Sequence, residues 1–390
     1  VTASNRRAWT AAIFATMALT GAAMMARGPI IPHLETTFGA PEWQLGLIAP
    51  AGTAGYLVVI SVVGFGAGHL DPRRFVLVGM IGSVVCLLAM AAAPLLAVFL
   101  LAVLVRGTMN GVVRGLNRPV LSHFYPENRG RVYSYYDMTW AAGAVIGPLA
   151  IVGAVALGNW RVAYVAMAAV MAALTVVVWR LDAPAVETEE EPIDWGEVLG
   201  LLRRPEIVAM IAAMFFATGV EGGLFTWLPT YAEGELPPSL AGITLSVMIA
   251  GYVPGRFVYG RLAERLGYLP LLVGILLALL PAFGAFLVAD GTWLLAAVAA
   301  VGALLSGVYP LLLSYATEAV PHHSGPVTAL AAVSSSLGVG IVPAIMGGVI
   351  SGSNVGFAMR LLLGPIAIAL AVLVVARVAE RRRNRAEATA

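Results

Sequence analysis

Along most of the chain, hydrophobic positions are not interleaved with polar ones. They run on for about 20 residues at a stretch before a short polar segment interrupts them. A run of that length suits an α-helix crossing the hydrocarbon core of a bilayer. The ten-residue alternation of a membrane β-barrel is absent from the sequence, and only helices or closed barrels satisfy their backbone groups in lipid. The pattern therefore predicts an all-α polytopic membrane protein with twelve transmembrane helices. The first six are expected at 9–32, 45–68, 75–93, 97–121, 132–157 and 161–179, and the second six at 205–231, 240–260, 269–289, 293–317, 326–350 and 357–376. The longest polar stretch lies between these sets and contains ETEEEP. The expected organisation is an N-terminal half at 1–180, a solvated linker at 181–204, a C-terminal half at 205–379 and a basic tail at 380–390.

Composition narrows the class. The chain is 60% hydrophobic and only 11% charged, against about 25% charged in a soluble domain. Its 23 basic residues are all Arg, and their placement sets the expected topology. One side of the membrane collects Arg6, Arg7, Arg73, Arg74, Arg129, Arg131, Arg180, Arg203, Arg204, Arg261, Arg265 and the Arg-rich tail, while the other holds chiefly Arg161 and Arg360 among acidic residues. By the positive-inside rule both termini are cytoplasmic, as an even number of crossings requires. The cell membrane is the expected location. The apolar run after Arg6 and Arg7 continues into Arg27 and two prolines, so it reads as a retained first helix rather than a signal peptide. Tail arginines are expected to meet anionic lipid headgroups. Cys86 is the single cysteine, which leaves no intramolecular disulfide.

Candidate chemistry lies in the ionisable residues inside the apolar runs: Arg27, Arg106, Arg114, Asp137 and Glu221. Charge in hydrocarbon is expensive and is usually kept for function. At about 1.5 Å per helical residue, Arg27, Arg106 and Glu221 are expected at similar depth. Arg114 and Asp137 fall deeper, on consecutive antiparallel helices, which predicts an Arg114–Asp137 ion pair. Arginine offers planar, bidentate recognition of a carboxylate or phosphate, so Arg27 and Arg114 are candidate substrate ligands. Asp137 and Glu221 are candidate proton carriers, because a carboxylate in a low-dielectric site can change its protonation with its neighbours. The competing reading makes the charges permanent pairs that only orient helices. Asn110, Asn117, Tyr136, Trp140, Trp227 and Tyr252 could complete a polar cavity, although an aromatic near a membrane end is often an interfacial anchor. Gly143, Gly147 and Pro148 permit close helix approach and bending, and Gly338, Gly340, Pro343, Gly347 and Gly348 look like their counterpart in the second half.

Several segments occur in an order that resembles the major facilitator superfamily over essentially the whole chain. GRLAERLG, with Gly260, Glu264, Arg265 and Gly267, is similar to that family's cytoplasmic loop signature. The first-half copy, GAGHLDPRRFVL, keeps its Gly but has His69, Leu70 and Asp71 ahead of Pro-Arg-Arg in place of the usual pattern, which puts the usual latch between halves in doubt. Arg106 with Gly111, Pro119 and FYPENRGR is similar to the span-four motif, and GAVIGP to the span-five motif common in antiporters. The resemblance implies two pseudo-symmetric six-helix halves, a monomer, alternating access and a conformational role for Arg106. GLNRPVLSHFYPENRGR and GVEGGLFTWLPTYAE resemble the fucose-permease-like sugar and proton symporters, whereas the Arg pair in spans one and four is more like the organic-anion members.

The expectation is a secondary active transporter of a small polar solute, with an organic anion such as a monocarboxylate or sugar acid preferred and the proton gradient as energy source. The alternatives are a neutral sugar symporter, a drug or lysolipid exporter, and a receptor that binds without transporting. No enzymatic activity or cofactor is expected, since the sequence has no GxxxxGK[ST] loop and no evident Ser, His and Asp arrangement. His322 and His323 lack further ligands for a metal. The expected partners are the solute and the lipid bilayer, without nucleic acid.

Overall fold

The computed structural model describes residues 3–66, 72–182, 196, 200–320 and 323–389. His69, Asp71, His322 and most of the acidic linker lie outside the described residues. Contacts divide the chain into two compact units, Val1–Pro192 and Ile193–Ala390. The first contains α1 (Ala3–Met25), α2 (Arg27–Phe38), α3 (Glu42–Leu45), α4 (Ile48–Gly66), α5 (Pro72–Ala92), α6 (Leu96–Phe124), α7 (Arg129–Ala156) and α8 (Arg161–Arg180). The second contains α9 (Pro205–Ala232), α10 (Pro238–Gly242), α11 (Thr244–Leu266), α12 (Tyr268–Val288), α13 (Trp293–Leu305), α14 (Val308–Ala319), α15 (Ser324–Gly352), α16 (Val355–Leu361) and α17 (Leu363–Thr389). There is no strand among the described residues. Among the described residues, ten helical spans are long and apolar enough to cross a membrane. With α4 and α11 in the second and eighth positions they complete twelve crossings, six in each unit.

Three crossings are interrupted, each next to the residue four places before a proline. α1 gives way to α2 after Met25, α13 to α14 at Ser306, and α16 to α17 after Leu361, ahead of Pro29, Pro310 and Pro365 respectively. Proline has no N–H to return to the carbonyl at i−4. Pro119 and Pro148 are passed without a break.

Both units pair their helices in the same order. In the first, crossing one (α1) packs on crossing five (α7), two (α4) on four (α6), and three (α5) on six (α8); in the second, α9 packs on α15, α11 on α13, and α12 on α17. Glycine makes the closest of these seams possible. A Cβ on Gly143 would strike the carbonyl oxygen of Ala18, one on Gly147 that of Ala22, and one on Gly21 that of Trp140. In the second unit a Cβ on Gly338 would strike the Phe215 carbonyl. Gly348, expected to act with it, has nothing within 4 Å of such a carbon and belongs to no seam.

The helices outrun the hydropathy windows at polar ends. The segment expected to open a loop at Gly260 stays helical through Leu266, so Glu264 and Arg265 sit on the last turn of α11. Gly267, at φ +76°, makes the turn into α12, in backbone space that L side chains rarely adopt. The expected tail likewise continues α17 as helix to Thr389. Hydropathy reports the lipid-facing length only, whereas Arg and Glu are good helix formers and do not end a helix.

Candidate functional site

The chemistry-bearing side chains form three clusters. Two lie in the first unit and one in the second.

The first cluster lies where α6 meets α7. Asp137 pairs with Arg118, Nη2 to Oδ1 at 3.5 Å, with both side chains about half exposed. The expected ion pair gave Asp137 to Arg114; the structure gives it to Arg118, one helical turn further along α6. The short Pro126–Asn128 turn joins the two helices, and Tyr133 on α7 donates from its hydroxyl to the Arg118 carbonyl at 3.2 Å. Arg114 lies with its guanidinium 5.6 Å from the ring centroid of Tyr56 on α4, and within electrostatic reach of Tyr136. Asn117 and Tyr136 are buried against one another, Nδ2 donating to the phenol oxygen at 3.4 Å, and Tyr136 also packs on Phe14. Thr20 on α1 donates to Asn110 Oδ1 at 3.4 Å. Asn110 and Asn117 thus join helices within the unit, which is a positioning contact. Trp140 is half-buried, and its indole N–H has no hydrogen-bond partner.

The second cluster is more deeply placed and carries an excess of positive charge. Arg27 opens α2, and its guanidinium rests on α4: a Cβ on Gly52 would lie 2.5 Å from Arg27 Nη1. The other side of the same glycine is the floor for α6, because a Cβ on Gly107 would strike the Gly52 carbonyl. The neighbour of Gly107 is Arg106, 4% exposed. Arg27, Arg106 and the phenol of Tyr164 on α8 interact electrostatically with one another. The Nε atoms of both arginines and the hydroxyl of Tyr164 are buried without a hydrogen-bond partner among the described residues. Neither arginine pairs with a carboxylate among the described residues. Tyr164 was not singled out in the sequence; its position in the first turn of the sixth crossing gave no distinguishing signal.

The third cluster is in the second unit. Tyr252 on α11 donates from its hydroxyl to Glu221 Oε1 on α9 at 2.7 Å. This makes Tyr252 the partner of the candidate proton carrier. Arg256, one turn along α11, stacks with its guanidinium 5.6 Å from the Tyr252 ring, interacts electrostatically with Glu221, and donates from Nε to the Ser306 carbonyl at 3.4 Å. That carbonyl is the one Pro310 leaves without its helical donor. Sequence reading passed over Arg256, although an ionisable residue four places after Tyr252 inside the expected eighth span is a usable signal. Trp227 is fully buried and donates from its indole N–H to the Pro343 carbonyl at 2.9 Å, tying α9 to α15.

The sequence profile of the Major Facilitator Superfamily matches residues 13–343 and 235–390. Protein TsgA of Escherichia coli O17:K52:H18 (strain UMN026 / ExPEC) is 22% identical over 332 residues, covering 82% of this chain and 81% of TsgA. The crystal structure of a bacterial homolog of the human lysosomal transporter Spinster, inward-facing and occupied, superimposes with a TM-score of 0.77 at 16% identity, covering 97% of this chain and 98% of the other. That of a single-residue variant of the Escherichia coli fucose:proton symporter FucP does so with a TM-score of 0.62 at 18% identity, covering 94% and 98%. At these identities the structural likenesses show the fold, whereas the profile spans nearly the whole sequence. The chain is a multi-pass membrane protein that belongs to the Major Facilitator Superfamily of transporters.

Proposed function

We propose that the protein is a proton-coupled secondary transporter of a small organic anion, working by alternating access in the cell membrane with both termini cytoplasmic. The observation that carries the reading is the pair of arginines in the first unit, Arg106 buried and Arg27 half-buried, whose Nε atoms are buried with no hydrogen-bond partner and no carboxylate facing them among the described residues. A buried charge is ordinarily paired, and arginine forks suit a carboxylate or phosphate. An anion bound there supplies the missing counter-charge. A neutral-sugar carrier would instead have Arg27 satisfied by the protein itself.

Glu221 is the proton carrier of this reading. It lies in the middle of α9, more than ten residues from either end, and Tyr252 fixes the oxygen that would exchange a proton. Asp137 shares an ion pair that is half exposed, and its role is to hold α7 against α6. Arg114, over Tyr56, is a second contact for the solute.

The test is proton entry into liposomes that contain the purified protein and an internal pH dye, measured against carboxylates, sugar acids and neutral sugars. Proton entry is expected with acids, is abolished in Glu221→Gln, and is accompanied by loss of binding in Arg27→Ala. Protein-free liposomes control for free acid crossing by itself. Proton entry with neutral sugars alone would refute the anion reading.

A further inference from the structure

We infer that the solute is a compact dianion, a dicarboxylate or a phosphate monoester, held between Arg27, Arg106 and the hydroxyl of Tyr164. The inference rests on the organic-anion reading and narrows it.

Charge is the first argument. The site contains two guanidiniums, and among the described residues neither has a carboxylate partner, while the Nε of each is buried without a hydrogen bond. Arginine does not deprotonate in proteins, so the protein's own side chains place two positive charges near one another, Arg106 buried and Arg27 partly so. A monocarboxylate would neutralise one and leave the other unpaired beside it. A dianion neutralises both.

Donor count agrees with charge. Three buried donors stand unmet, Arg27 Nε, Arg106 Nε and Tyr164 Oη. A monocarboxylate brings two acceptor oxygens, a phosphate monoester three terminal ones and a dicarboxylate four. Unmet buried donors are costly, so an anion toward which all three side chains can turn is favoured over one that satisfies two.

The donors are also held in place. Arg27 lies on the bare α-carbon of Gly52, and Arg106 precedes the glycine seated on the carbonyl of that same residue. The Tyr164 ring is fixed edge-on by Phe99 and Trp160, with centroids 6.0 and 6.1 Å away. The family resemblance assigns Arg106 to conformational change alone; its unpartnered Nε and its nearness to Arg27 assign it to the ligand as well.

The experiment measures binding to the full chain in detergent at pH 7.5 and constant ionic strength, using matched pairs of probes. Succinate is compared with monomethyl succinate, and glycerol phosphate with glycerol. The dianion of one pair is expected to bind at least about tenfold more tightly than its partner, the size of one charged hydrogen bond; which pair responds tells dicarboxylate from phosphate. Arg27→Gln is expected to weaken dianion binding by about 10–100-fold, and Tyr164→Phe by about tenfold. Gly52→Ala keeps every charge but pushes Arg27 aside, and is expected to reduce the preference for the dianion while thermal unfolding stays close to wild type. Equal binding within both pairs, or a preference unchanged in Tyr164→Phe and Gly52→Ala, overturns the inference. Proton-coupled uptake of monocarboxylates without dianion binding overturns it and leaves the organic-anion function standing. Tighter binding of the neutral probe overturns both.

Discussion

The seam between α1 and α7 gives the sharpest test of how this fold is held together. Gly143→Ala adds one carbon aimed at the backbone oxygen of Ala18. That oxygen belongs to a helix and has no rotamer to escape into, so the two helices must separate. A gap of even 0.5–1 Å forfeits about a quarter to a half of each contact's dispersion energy. Gly21 and Gly147 lie on the same seam, against Trp140 and Ala22, so the loss is shared along its length. Overpacking of this kind destabilises by about 1–3 kcal/mol, and Ala in place of Gly returns about 0.5–1 kcal/mol through helix propensity. The expected net effect is a destabilisation of about 1–2 kcal/mol. Gly348→Ala, exposed on α15 with nothing within 4 Å of the added carbon, gains propensity without a clash and should be stabilised by about 0.5–1 kcal/mol. The single, buried Cys86 makes the assay direct: thermal unfolding of purified protein is followed by its reaction with a fluorogenic thiol reagent. The two variants should move the transition in opposite directions. A Gly143→Ala transition at or above wild type would refute the claim that backbone contact limits this seam.

Three further outcomes follow from named contacts. Arg161 donates to the carbonyls of Ala91 and Ala93 at 2.8 and 3.1 Å, capping α5 and its exit; Arg161→Ala should lower stability by about 1–3 kcal/mol in the same thermal assay, through lost charged hydrogen bonds and the helix dipole. Trp227→Phe removes the bond to Pro343 and should cost about 1–2 kcal/mol, mostly from the interhelical bond and the smaller ring, with a wild-type transition counting against the clamp between α9 and α15. For Asp137→Asn and Arg118→Gln, a double-mutant cycle should give a coupling of no more than about 1 kcal/mol, since both groups are half exposed and solvent screens them; a larger value would mean the pair is shielded in the working protein.

The twelve crossings were legible because a bilayer-length apolar run is a strong signal that needs no tertiary information. Helix ends were less so. The turn at Gly267 is marked by glycine, yet its position seven residues past Gly260 depends on polar residues that extend α11 beyond the apolar run. The interrupted crossings follow from prolines visible in the sequence, but Pro119 and Pro148 show that proline alone does not decide where a membrane helix breaks. Charges could be found one residue at a time, as Arg27, Arg106, Asp137 and Glu221 were. Their partners could not, because a shift of one turn along α6 exchanges Arg114 for Arg118 at Asp137. Tyr164 and Arg256 matter through what they face, which hydropathy does not record.

The two units share a scaffold and differ in their chemistry. Each packs its first crossing on its fifth and its second on its fourth, with glycines at the seams: Gly143 and Gly147 in one unit, Gly222 and Gly338 in the other. On that common frame the first unit holds two arginines, Arg106 buried and Arg27 half-buried, without a counter-charge among the described residues, while the second holds a carboxylate bonded to a phenol. If the buried charges served only to orient helices, the repeat would be expected to carry matching pairs, since the same helices meet in the same order. Instead Arg27 and Arg106 have no carboxylate partner among the described residues of the first unit, while Glu221 in the second has Tyr252 and Arg256 beside it. The difference lies in the side chains that the two frames carry, and fold alone does not account for it.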